Sequence, residues 1–256
     1  MTLKNALRVE WIKIQNRRAL IFIGIALLIN VALSFSVFGI LNIPPDSPSF
    51  FTLNQEMMDS LNPLGFLLSQ FSGSLALISS LFFIQQYGEE FKTGLIRKVI
   101  IDGHSRNQIF VGKMLFLFGT YLIWTLVLLL IFTAVGAYRL GSDFNLLLGS
   151  MQWEEVLKFY LHLILYGSFS FFIVTLTRSA NFSTLFLLGL STIVENLGGL
   201  ALSYFEMGYL VKYLPFTLAG LVRSVDELPL ELVVTYMLYC LSFIGIGHWV
   251  LNKRDM

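Results

Sequence analysis

Very few side chains in this sequence are equipped for chemistry, and their spacing excludes most kinds of it. Val111-Gly112-Lys113-Met114 carries the glycine and lysine of a phosphate-binding loop. That loop also needs a Gly five positions before its second Gly, and a Ser or Thr after the Lys to reach magnesium. Asn107 and Met114 occupy those positions, so no nucleotide-binding motif is present. His104, His162 and His248 fall in separate segments without metal-ligand spacing, and each reads as a satisfied or exposed histidine. No Gly-x-Ser-x-Gly elbow and no paired carboxylates within an apolar run suggest hydrolysis.

Two groups of residues remain. Glu195 lies inside the apolar run FLLGLSTIVENLGGLALSY, with Asn196 beside it and Gly198-Gly199 following. A carboxylate is costly in lipid and faces a bundle interior or an aqueous path. The functional reading is a translocation path or gate; the structural one is a hydrogen-bonded Glu at a helix contact that the glycines allow to be close. The second group is the polar stretch QQYGEEFKTGLIRKVIIDGHSRNQIFVGK, residues 85–113. It sets Lys92, Arg97, Lys98, Arg106 and Lys113 beside Glu89, Glu90 and Asp102, between two apolar runs. A basic flank is expected of any cytoplasmic loop. The acidic pair Glu89-Glu90 and a glycine-terminated apolar helix are not, and they point to a docking element.

The elements that hold these residues follow from composition. Of 256 residues, 56% are hydrophobic and only 13% charged, about half the charge of a soluble domain, and the mean hydropathy is +0.75. The chain therefore reads as an all-α, polytopic membrane protein forming a single domain over 1–256. Six apolar runs approach the roughly 20 residues that cross a bilayer, at about 19–41, 64–87, 114–138, 156–177, 183–205 and 230–251. The first is too long for a signal-peptide core and lacks a cleavage site, so it reads as a retained span. Cys240 is the single cysteine, so no disulfide forms within the chain.

Ahead of the first run, residues 1–18 place Leu3, Leu7, Trp11 and Ile14 on one helical face among five basic residues. This pattern fits either an interfacial helix on the membrane surface or a positive flank orienting the first span. Lys and Arg then set the orientation. Thirteen fall on one side, namely Lys4, Arg8, Lys13, Arg17 and Arg18, the five of the 88–113 loop, Arg178, Lys253 and Arg254. Arg139, Lys158, Lys212 and Arg223 fall on the other. Both termini and the 88–113 loop are thus expected in the cytoplasm, and the formal glycosylation sequon Asn181-Phe182-Ser183 is discarded as cytoplasmic. The outward segment 206–229 is too apolar for a solvated loop, and Pro215 interrupts it; it reads as re-entrant or interfacial.

Within the 88–113 loop, Phe91, Leu95 and Val99 recur at i, i+4 and i+8, predicting a short helix from about Glu89 to Ile101. Asp102-Gly103 stops it. Ser105-Arg106-Asn107-Gln108 matches a Ser-x-x-Gln capping box that starts the next helix.

With these residues in place, the chain resembles the permease subunits of type 2 ATP-binding-cassette (ABC) exporters. The likeness rests on the acidic start at Glu89-Glu90, on Thr93-Gly94-Leu95-Ile96-Arg97, on Ser105-Arg106 and Lys113, and on Tyr213-Leu214-Pro215. Thr-Gly stands where the family has Gly-Thr, and Asp102-Gly103-His104 where it often has Pro. The resemblance implies that the loop is a coupling helix docking on a separate ATPase subunit. The contact would involve Glu89, Glu90, Thr93, Gly94, Leu95, Arg97, Lys98, Ser105 and Arg106. It implies a second permease chain, identical or different, and re-entrant half-helices at Pro215 near the exit. No cofactor would bind this chain; ATP and Mg would sit on the partner subunit. The chain would be no enzyme itself, would reside in a prokaryotic inner membrane, and would export a hydrophobic or amphipathic substrate. The alternatives weighed are an autonomous ion-coupled transporter or channel and an intramembrane enzyme using Glu195 with His162. The first usually shows paired broken helices and several buried charges.

Overall fold

A computed structural model describes residues 63–140, 153–189, 204–205, 213–218 and 229–253, together with positions 28 and 32. Every extended element among them is helical: α1 (Pro63–Lys92), α2 (Leu95–Ile101), α3 (Arg106–Leu140), α4 (Trp153–Thr177), α5 (Ala180–Gly189) and α6 (Leu230–Lys253). Three stretches are long and apolar enough to cross a membrane, Arg106–Ile131, Glu154–Thr177 and Leu230–Lys253. A helix is the expected form for such sequences, because in lipid it satisfies its backbone groups internally. The N-terminal segment 1–18 lies outside the described residues, as do the run 19–41 apart from positions 28 and 32, most of 183–205 and most of 206–229. Glu195, Asn196, Gly198 and Gly199 are among them.

The helix ends follow local chemistry. Pro63 opens α1 at a position where its missing N–H costs nothing. Glu154 and Glu155 lie in the first turn of α4, where acids complement the helix dipole. The polar ends of the runs extend the helices beyond the apolar stretches: α1 continues to Lys92, and α3 begins at Arg106, where the capping box starts it, ahead of the apolar run from about 114.

The bundle is built around α4. Of its apolar window 78% is buried, against 28% for that of α3 and 22% for that of α6. It packs most extensively on α1, then on α6, with α3 completing the cluster. The hydroxyls that this buried helix carries are neutralised locally. Ser168, Ser170 and Thr175 each donate to the carbonyl four residues back at 2.7 Å, so none needs water. Two close approaches set the spacing of the helices. A Cβ on Gly167 would run into the Tyr121 ring of α3, and one on Gly247 would fall 2.6 Å from the Phe171 ring.

A second apolar cluster joins the first half of α6 to α4. Leu218 packs with Leu161, Leu165, Leu232, Tyr236 and Cys240. Phe216 meets Tyr166 and Phe169 edge-on at centroid distances of 5.2 and 5.0 Å. Tyr239 donates to the Tyr213 carbonyl at 2.7 Å. Residues 213–218 therefore sit beside the middle of α4, well away from both its ends.

Candidate functional site

The loop joining α1 to α3 is built from three backbone punctuation marks. α1 stops where Thr93 turns its hydroxyl back to the Glu89 carbonyl at 2.8 Å and Gly94 takes a left-handed φ of 68°. This break falls inside the helix expected over 89–101, and it changes which side chains face inward. Leu95 and Val99 do not form the buried face. Ile96 does, 2% exposed, with Ile100 packed against the core one turn later. The residues before the break, including Glu89 and Glu90, belong to α1.

The far end of α2 closes as its glycine suggested. Gly103 has φ 92°; its N–H donates to Ile100 O at 3.0 Å, and the His104 N–H to Val99 O at 3.2 Å. These are the paired bonds of a Schellman motif. The capping box follows at once. The Ser105 N–H donates to Gln108 Oε1 at 3.1 Å, and the Gln108 N–H donates to Ser105 Oγ at 3.2 Å. Both reciprocal bonds of the motif are present. Ser105→Ala should cost about 1 kcal/mol at the start of α3. Amide exchange over the first turn of that helix would report it, and Ser105→Asp should restore most of the loss.

Beneath α2 lies a layer of buried ionic and aromatic contacts. Glu90 and Lys113 form a salt bridge joining the end of α1 to α3, with side chains only 8% and 4% exposed. The Lys113 ammonium also stands 4.9 Å from the Tyr87 ring centroid, a cation–π contact strengthened by burial. Tyr87 stacks on Phe171 of α4 at 5.8 Å. Arg178 takes a left-handed φ of 54° between α4 and α5, and its guanidinium lies 5.9 Å from the Phe91 ring. Gly88 brings α1 so close to α5 that a Cβ there would meet the Ala180 backbone N at 2.7 Å. The ends of α1, α4 and α6 and the starts of α3 and α5 thus meet in one packed base. The 93–105 loop and Lys253 lie at the same end of the bundle.

On this base α2 presents an exposed ridge. Leu95, Arg97, Lys98, Ile101 and Asp102 all face outward, with Ile101 76% exposed. Two cations precede an apolar tip on a short helix that the Gly103 motif closes at its far end. Such a surface suits contact with another macromolecule.

The expected site residues divide accordingly. Leu95, Arg97 and Lys98 are on the ridge, and Glu89 is exposed at the end of α1. Glu90, Thr93, Gly94 and Ser105 shape the base and the breaks. Arg106 reaches back to α6, donating to the Leu251 carbonyl at 3.4 Å. Pro215 stands in the 213–218 segment beside α4 and α6, apart from this group. Three features were not read from sequence: the Glu90–Lys113 pair, the Arg178 turn, and the burial of Lys158. Lys158 is 2% exposed on α4 and pairs with Glu155 at 2.7 Å and Glu154 at 3.6 Å. The i, i+3 and i, i+4 spacing on a helix was the available signal for the last. His104 lies between α2 and α3, His162 on α4 and His248 on α6, so the three are not brought together by one element. No family model matches this chain, and no curated protein matches it.

Proposed function

We propose that this chain is the membrane-spanning permease subunit of a type 2 ABC exporter, with α2 as its coupling helix. The observation that carries this reading is the exposed α2 ridge held on a buried, ion-paired base. A chain that lacks the phosphate-binding loop and draws on a partner's ATP hydrolysis must do so through mechanical contact. Bounded by the Gly94 break and the Gly103 closure, α2 is a discrete element for such a contact. The buried Glu90–Lys113 pair passes that push to α1 and α3 together, and the Tyr87–Phe171 stack passes it to α4. In this reading α1, α5 and the apolar run 19–41 contribute further spans, six in all with α3, α4 and α6. The loop and the chain's C-terminal end lie in the cytoplasm, which agrees with the excess of Lys and Arg on that side. The 213–218 segment, packed beside the middle of α4, is the inner limb of a re-entrant element entering from the opposite face. The partner is a separate ATP-hydrolysing subunit that carries ATP and Mg, and a second permease chain completes the pathway. The membrane is a prokaryotic inner membrane, and the cargo class is hydrophobic or amphipathic.

The test is association with the partner. Full-length chain purified from its own membranes should bring with it an ATP-hydrolysing subunit. Ile101→Asp should weaken that association about tenfold or more, as expected when an apolar anchor at an interface is lost. The chain's own unfolding should not change, because Ile101 makes little contact with its base. Full association of Ile101→Asp, or purification of the intact chain with no ATPase bound, would count against the proposal.

A further inference from the structure

Arg106 is the first residue of α3, a position where its charge opposes the positive end of its own helix dipole. Ser105 and Gln108 already cap that end. The Arg106 side chain is directed elsewhere. Its Nη1 donates to the carbonyl of Leu251 at 3.4 Å and to that of Asn252, both in the last turn of α6. A helix leaves its last four carbonyls without partners in the helix itself, and the negative end of its dipole lies there. One turn away on both helices the contact is repeated. Phe110 faces His248 with centroids 4.2 Å apart, and His248 Nε2 and Asn252 Nδ2 are 3.0 Å apart. Arg106 and Phe110 on α3 therefore oppose Asn252 and His248 on α6, each pair at i, i+4 spacing. Elsewhere α3 and α6 touch little, so this ladder is their principal junction.

We propose that Arg106 is a positioning residue that clamps the base of the 93–105 loop to the end of α6, so that α2 and the last turn of α6 move as one body. The clamp itself stands on this geometry. Its consequence, that a push on α2 is delivered to α6 as well as to α1 and α3, rests on the proposed function.

The experiment uses the full chain in lipid nanodiscs with Cys240→Ser, and spin labels at Asp102→Cys and Lys253→Cys. With Arg106 present, the inter-label distance should be a single narrow population. Arg106→Ala should broaden it, and amide exchange over Trp249–Lys253 should become about tenfold faster, the loss expected for a charged donor on unpaired carbonyls. Arg106→Lys, which retains the cation and can reach one carbonyl, should fall between. An unchanged distance distribution and unchanged exchange in Arg106→Ala would overturn the clamp. A broadened distribution that Arg106→Lys does not narrow at all would overturn the role given to the charge. Neither ATP nor a partner enters this measurement, so its failure leaves the export reading standing, and failure of that reading leaves the clamp standing.

Discussion

Replacing Glu90 by Ala is expected to lower the unfolding free energy by about 3–5 kcal/mol, the cost of leaving one member of a buried ion pair without its counterion. Lys113 cannot turn to solvent to recover that loss, because its side chain is only 4% exposed. The Tyr87 ring at 4.9 Å offers a fraction of what the carboxylate provided. Lys113→Ala should cost a similar amount by stranding Glu90. The paired substitution Glu90→Leu with Lys113→Leu should recover most of the loss, since a packed apolar pair avoids the desolvation of both charges. Denaturant unfolding in mixed micelles measures all three. Additive losses in the double variant would show that the two side chains do not act as a pair. A recovered stability with α2 misplaced would separate the pair's contribution to folding from its role in transmitting force.

The second large effect is expected at Gly88. Its Cβ position lies 2.7 Å from the backbone N of Ala180 and 2.8 Å from its Cα. Those atoms start a helix and cannot swing aside as a side-chain end can. Gly88→Ala must therefore push the end of α1 away from α5, at the upper part of the roughly 1–3 kcal/mol typical of overpacking. Gly94→Ala is a useful contrast, because nothing lies within 4 Å of a Cβ there. Its cost comes only from the left-handed φ of 68°. Unfolding and amide exchange distinguish the two: Gly88→Ala should loosen the α1–α5 junction, while Gly94→Ala should affect only the loop. A Gly88→Ala protein as stable as the parent would mean that the two helices are not in contact at this point.

What was legible in the sequence is what local chemistry decides. The stop at Gly103 and the start at Ser105 depend on hydrogen bonds spanning three to five residues, and both are found where the residue types indicate. The helical class follows from apolar runs whose backbone must satisfy itself. The inward face of α2 was not legible, because a periodicity of Phe91, Leu95 and Val99 assumes one continuous helix. The left-handed Gly94 restarts the helix and rotates Ile96 and Ile100 inward. Glu90 and Lys113 stand 23 positions apart, and only the folding of α1 against α3 makes them partners. Arg106 carries a local clue, a cation at the one helix end that disfavours it. The separation of Arg106 from Leu251, 145 positions, put the explanation beyond any local pattern.

On the proposed function, α2 meets an ATP-driven partner in the cytoplasm, and Ile101, 76% exposed, is the side chain placed to report it. A benzophenone amino acid at position 101, activated by light in intact cells, should become covalently joined to an ATP-binding protein. It should remain untouched by membrane-impermeant reagents added outside. Attachment to lipid alone, or labelling of position 101 from the external medium, would contradict the account.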